Sequence, residues 1–258
     1  MNTPPSELFH RNLMIIAHRG ASGVAPENTF SAFEKAVALK ADMIELDIQL
    51  TQDGHWIVMH DDSLKRTCGV RKPVRALPLS KMKTLDAGSW FSKDFSGEKV
   101  PVLDDLLSWA KNKISLNIEI KGKINLKGEE VGSLLKTISD HGMKKEVLLS
   151  SFNWNILRAV RNLDRDIPIG LLVNRELRSR YIKEALHLNA VSIHLPKHKV
   201  RKGLPEMIHA LKMRVLVYTL NSLEEMERCA SIGIDGFFTN YPGLPPQKKL
   251  PEKKALKT

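Results

Sequence analysis

Short runs of consecutive apolar residues recur along the chain, separated by longer stretches in which apolar positions return every three or four residues. The runs LMIIAH (13–18), DMIELDI (42–48), SLNIEIK (115–121), EVLLSS (146–151), IPIGLLV (167–173), AVSIHL (190–195), RVLVYTL (214–220) and DGFFTN (235–240) read as eight parallel strands. Near-continuous apolarity suits strands covered on both faces, and the alternation of strand with helix suits helices packed outside a parallel sheet. The expected fold class is α/β, a (β/α)8 TIM barrel over 13–244, with an open doubly wound sheet as the alternative.

One stretch breaks the pattern. Little more than a turn separates IELDIQL from WIVMH, whereas a crossover between parallel strands needs about a dozen residues or more. The chain must therefore fold back as an antiparallel hairpin arm after the second strand, and Asp53-Gly54 is a strong signal for such a turn. Folding there brings His60 level with Glu45 and Asp47, which share one face because side chains two apart in a strand point the same way. Residues 62–100 then lack clean periodicity and are too long for an ordinary loop. They read equally as an insertion over the barrel mouth or as a packed excursion anchored by Trp90 and Phe91.

Composition narrows the class without choosing a partner. With 258 residues, 42% apolar and 27% charged, the chain has the make-up of a globular protein with one large core. No apolar run approaches the roughly 20 residues a membrane-spanning helix requires. The start lacks the pattern of a secretory signal, and the two cysteines, Cys68 and Cys229, read as free thiols, so the expected location is cytoplasmic. The formal charge of +11 comes partly from a basic C-terminal tail, 245–258, expected to be disordered, as residues 1–12 are expected to form an N-terminal tail. Zinc-finger spacing and interleaved aromatic and basic residues are both lacking, which argues against nucleic acid. Stable membrane insertion is not expected either, and contact with acidic membranes through the basic tail would be weak. Oligomeric state is left open.

Polar residues interrupt the strands at their C-terminal ends, where barrel enzymes carry their sites. His18-Arg19 ends the first strand, Glu45 and Asp47 lie in the second, His60-Asp61 ends the returning arm, and Glu119 and Lys121 end the third parallel strand. Singly, each has an innocent reading: a strand-end histidine is more often structural than catalytic, and Glu119-Lys121 resembles an exposed pair. Jointly, three carboxylates converging on one mouth need positive charge, because burying each costs several kcal/mol. Oxygen donors favour Mg²⁺ or Ca²⁺, while the nearby histidines leave zinc open. A divalent ion with Arg19 and Lys121 would exceed the three carboxylates by one positive charge, enough to meet a phosphodiester monoanion. Two histidines beside such a centre can divide acid and base work, with the assignment open.

Taken in order, HRGASGVAPENTFSAFEKA, ELDIQLTQDGHWIVMHD, NIEIK, LSSF and GIDGFFTNYP resemble the glycerophosphodiester phosphodiesterase family. The resemblance implies a (β/α) barrel with an insertion after the His-Asp arm, and hydrolysis of glycerophosphodiesters to glycerol 3-phosphate and an alcohol. It implies His18 and His60 as the acid/base pair, Glu45, Asp47 and Glu119 as metal ligands, and Arg19 and Lys121 as phosphate-binding residues. Tyr218 and Phe152 are expected to contact substrate. Glu27, in PENT, is expected to support the site, although Asn28 or Thr29 reads first as a helix cap. Two positions depart from the family: Tyr218-Thr219 stands where Trp-Thr is frequent, and Thr239-Asn240-Tyr241-Pro242 where Thr-Asp-x-Pro closes the barrel. Lysophospholipase D-like hydrolysis and a non-catalytic phosphodiester-binding barrel are the alternatives.

Overall fold

The computed structural model describes residues 8–122 and 126–244. Eight parallel strands close a ring, β1 (Met14–His18), β2 (Met43–Leu50), then β4 (Ser115–Ile120), β5 (Val147–Ser151), β6 (Ile169–Leu172), β7 (Ser192–Pro196), β8 (Arg214–Tyr218) and β9 (Gly236–Thr239); β1 pairs with both β2 and β9. Among the described residues, only β3 (Trp56–Val58) stands outside the ring. It runs antiparallel to Ile48–Leu50, while β1 pairs with Met43–Glu45, so the arm continues the edge of β2 that β1 leaves unpaired. The ring is closed, so the open doubly wound alternative is set aside.

Helices of seven residues or more, at Phe30–Ala38, Leu103–Ala110, Gly128–Asp140, Trp154–Leu163, Ser179–His187, Leu204–Ala210 and Leu223–Ser231, follow the strands. Their apolar stripes pack on the outward side chains, joining Ile44, Leu46, Ile48, Leu116, Ile118, Leu149 and Val215 to Phe33, Leu106, Leu134 and Leu157 in one cluster. The inward side chains form a second cluster from Met14, Ile16, Met43, Leu148, Leu216 and Phe238. Leu8 and Phe9, within the stretch read as a tail, are buried in that second cluster, at the end of the barrel where the strands begin. The C-terminal tail, 245–258, lies outside the described residues. Among those described, no helix is long and apolar enough to cross a membrane.

The hairpin turn is Thr51–His55, where Thr51 N–H donates to His55 O (2.9 Å) and Gly54 takes φ +81°. That left-handed conformation costs glycine nothing sterically. Past the arm, the 62–100 stretch carries its own core of Leu64, Val74, Met82, Ala87 and Val100 against Ile57 and Met59. Trp90 and Phe91 are not its anchor. Trp90 remains 40% exposed, and its ring faces the Arg66 guanidinium at 5.5 Å.

Candidate active site

Strand register assembles the site. His18 on β1 is the register partner of Glu45 on β2, and Asp47 on β2 is the partner of Glu119 on β4, so four functional side chains meet at two successive inward positions of the barrel mouth. Met59 N–H donates to Asp47 O at 2.9 Å, which holds His60 beside them as the hairpin argument requires. A cavity of about 270 Å³ at this mouth is lined by His18, Arg19, Glu45, His60, Glu119, Lys121, Phe152 and Tyr218. Asp47 and Glu27 lie behind it, bound to the cations that line it. A larger groove of about 600 Å³ runs outside the barrel past Phe30, Phe95 and Val102. It lacks this convergence of histidines and buried carboxylates, so the mouth is the better candidate.

Beyond β1 the chain turns sharply, with Arg19 at φ +56° and Gly20 at φ +80°. A side chain on Gly20 would strike Ala32 at 2.7 Å, so glycine lets the turn press against the helix Phe30–Ala38. Arg19, a non-glycine in the left-handed region, is held there by what it gains. Its backbone N–H donates to Glu45 Oε2 (2.9 Å), its Nη1 donates to Glu27 Oε1 (3.0 Å), and its Nε lies 3.4 Å from Asp47 Oδ2. Lys121 Nζ donates to Glu119 Oε1 (2.7 Å) and lies 3.3 Å from Asp47 Oδ1. Both cations thus brace the same carboxylate from opposite sides.

Glu45, Asp47 and Glu119 each bring a carboxylate oxygen, all within 4.8 Å of one another. Burial, then Asp47 and Glu119, raises Glu45 well above the usual carboxylate range. Burial and Asp47 push Glu119 up to about 7 in spite of Lys121. Burial opposes the charge on Asp47 too, but Lys121, Arg19 and His60, with the Asn28 bond, outweigh it and hold Asp47 below its ordinary value. The protein's own groups therefore leave two of three buried carboxylates short of positive charge. An oxygen-only trio this close fits a hard divalent cation, which would supply that charge.

The two histidines are set differently. His18 Nδ1 lies 2.7 Å from Asn240 Oδ1, and its Nε2 is 4.0 Å from Glu45 Oε2. Burial, then Arg19, lowers its pKa to about 4. His60 Nδ1 lies 2.7 Å from Asp61 Oδ1 on the more open side. Asp61 is held far below the carboxylate range by Arg66, then by His60. Arg66 also donates to Glu27, whose own pKa is lowered despite burial by Arg66 and Arg19.

The substrate-side candidates sit at the rim. Tyr218 O–H donates to Val173 O (2.7 Å), and its ring meets Phe152 edge to face with centroids 6.2 Å apart. Phe152 is 41% exposed, leaving an apolar face open beside the cavity. Sequence reasoning passed over several groups that the fold brings in. Thr29 caps the helix, accepting from Ala32 N–H, but Asn28 at φ +58° turns inward, and its Nδ2 donates to Asp47 Oδ2 at 2.9 Å. Arg66 carries no signal in an aperiodic stretch. Asn240 had one, as the residue replacing the family's closing aspartate.

The family model described as Glycerophosphoryl diester phosphodiesterase family matches residues 18–244, from His18 at the end of β1 to the last described residue. The chain belongs to that family. The glycerophosphodiester phosphodiesterase of Caldanaerobacter subterraneus is 37% identical over 89% of this chain and 94% of its own length. The Bacillus subtilis glycerophosphodiester phosphodiesterase is 34% identical over 95% of this chain and 91% of its own. Among solved structures, a phosphodiesterase of Oleispira antarctica in complex with the product sn-glycerol-3-phosphate superposes with a TM-score of 0.85 at 29% identity, covering 89% of this chain and 94% of that one. Membership makes the present chain an enzyme, a phosphoric diester hydrolase of the glycerophosphoryl diester phosphodiesterase family.

Proposed function

We propose that the enzyme hydrolyses glycerophosphodiesters such as glycerophosphocholine or glycerophosphoethanolamine to glycerol 3-phosphate and an alcohol, by histidine acid/base catalysis at a divalent-cation site. The observation that carries the reading is the meeting, at one barrel mouth, of two histidines with a buried carboxylate trio that its own two cations do not neutralise. Glu45, Asp47 and Glu119 would hold the ion, Mg²⁺ or Ca²⁺, which when bound polarises a phosphoryl oxygen.

The chain's own residues divide the rest. Arg19 and Lys121 face the cavity beside the carboxylates and offer donors to the non-bridging phosphate oxygens. His18, kept neutral at physiological pH by burial and Arg19, is suited to accept the proton of the attacking hydroxyl, whether that belongs to water or to the glycerol 2-position. A bound cation would lower its pKa further, so the assignment keeps its sign. His60, next to the Asp61 carboxylate, is suited to the imidazolium role and donates its proton to the leaving alkoxide. The balance of charge is tighter than the sequence count: Glu27 and Asp61 add two negatives and Arg66 returns one positive, so the excess falls by one. Imidazolium on His60 restores it.

The test is release of glycerol 3-phosphate from glycerophosphocholine, with and without chelator, for the wild type and His60→Ala. Turnover that survives metal removal, or full activity in His60→Ala, refutes the mechanism. Hydrolysis of lysophospholipid alone moves the substrate to acylated lipids, with the open Phe152 face as their contact.

A further inference from the structure

We propose that Arg66, on the insertion, is a positioning residue of the reaction: its single guanidinium holds Asp61 against His60 and Glu27 against Arg19. The inference rests on the roles proposed above for His60 and Arg19.

Arg66 belongs to the short helix Lys65–Cys68, outside the barrel. Its Nε donates to Asp61 Oδ2 (2.7 Å) and its Nη2 to Asp61 Oδ1 (3.1 Å), a forked contact with one carboxylate. Its Nη1 donates to Glu27 Oε2 (2.8 Å) and the same Nη2 to Glu27 Oε1 (2.7 Å), a fork on a second. Each carboxylate hands the constraint on. Asp61 accepts from His60 Nδ1 at 2.7 Å, which fixes the ring and leaves Nε2 as the nitrogen free to exchange a proton with substrate. Glu27 accepts from Arg19 Nη1 at 3.0 Å and so restrains the proposed phosphate-binding side chain.

An isolated exposed ion pair contributes little, and the Arg66 side chain is 41% exposed. Its arrangement differs in two ways. The planar fork serves two carboxylates from separate parts of the chain, one before the first helix and one at the end of the hairpin arm, which an ammonium cannot do. The helix that carries it is also fixed independently: Leu64 and Thr67 flank Arg66 and are buried, with Leu64 in the insertion's own core, and the Trp90 ring lies 5.5 Å from the guanidinium. The insertion thereby becomes a working part of the site, clamping the acid/base limb and the phosphate limb from one point.

The experiment combines steady-state kinetics on glycerophosphocholine with ¹⁵N histidine NMR for Arg66→Gln, Arg66→Lys, Asp61→Asn and the double variant Arg66→Gln/Asp61→Asn. Loss of an outer partner to a catalytic group costs about 10–100-fold. Arg66→Gln is expected to lower kcat by that factor, and Arg66→Lys, which keeps charge and stem and guards against misfolding, nearly as much. In kcat the double variant should be no worse than about twofold below Asp61→Asn, because Arg66 acts on kcat through Asp61, whereas the Glu27–Arg19 limb acts on phosphate binding and is read in KM. The His60 Nδ1–H signal, which the Asp61 contact should hold whether the ring is neutral or imidazolium, should be sharp in the wild type and averaged by exchange in Arg66→Gln. A kcat within twofold of wild type, kcat losses that multiply in the double variant, or an unchanged His60 Nδ1–H signal would each overturn the proposal. If the wild type releases no glycerol 3-phosphate, the functional reading fails, while the Nδ1–H signal still decides whether Arg66 positions His60.

Discussion

Replacing Asn240 by Asp tests the assignment of the proton acceptor. Asn240 Oδ1 meets His18 Nδ1 at 2.7 Å, so the substitution puts a full negative charge where a neutral amide oxygen stood. His18 begins at about 4 because burial and Arg19 together outweigh the Asn240 bond and the more distant Asp47 and Glu27. An opposite charge in contact favours the protonated imidazole by about 1–3 pKa units, or about 1.4 kcal/mol for each unit. If neutral His18 is the base, kcat/KM falls on the acid side as His18 takes up a proton, and that limb should rise by about 1–3 units from a starting point at or below about 4 in the cation-loaded enzyme. At pH 5 a variant titrating near 6 would keep about a tenth of its base in the active form, while at pH 8 the two enzymes should be nearly equal. The assay is a pH profile of kcat/KM for glycerol 3-phosphate release at saturating divalent cation. An unmoved acid limb, or a shift confined to the alkaline limb, would show that His18 is not the base.

Three further outcomes are expected. Between about 4.5 and about 7 the cation-free folded protein keeps a proton on Glu119 that the unfolded chain has lost. Stability without a cation should therefore fall as pH rises through that window, and the melting-temperature gain on adding Ca²⁺ or Mg²⁺ should be larger at pH 8 than at pH 5; an equal or smaller gain at pH 8 would count against the carboxylate trio as the site. His194, fully buried with its pKa lowered to about 3, opposes protonation in the folded state, so its contribution is intact above about 6.5 and is lost as pH falls toward 3. His194→Phe should flatten acid unfolding measured by circular dichroism, an effect on the order of several kcal/mol at most. Asn28→Leu removes the donor to Asp47 and should weaken divalent-cation binding by calorimetry about 10–100-fold, whereas Thr29→Ala should cost about 1 kcal/mol of stability with cation affinity unchanged.

The barrel was readable because its strands are covered on both faces, which imposes near-continuous apolar runs that short loops do not imitate. The arm was readable because Asp53-Gly54 leaves too little chain for a crossover. Other parts depend on contacts that no local pattern encodes. Trp90 and Phe91 drew attention by size, yet Leu64, Val74 and Met82 hold the insertion, and Trp90 faces Arg66 instead. Asn28 and Thr29 are both good capping residues, and only the left-handed turn at Asn28 sends its amide to Asp47 while Thr29 keeps the cap. Residue lists also hide pairing. Alternation puts Glu45, Asp47 and Glu119 on inward faces, but register sets Asp47 opposite Glu119 and His18 opposite Glu45, and from that follows which carboxylates repel and which cations serve them. Asp47 takes Lys121, Arg19 and the Asn28 amide, while Glu45 receives a backbone N–H and no side-chain cation in direct contact among the described residues. The unequal sharing leaves Glu45 with the strongest unmet demand for charge, so a divalent ion bound here should draw on Glu45 most, and Glu45→Gln should relieve the cation-free protein while impairing the loaded one.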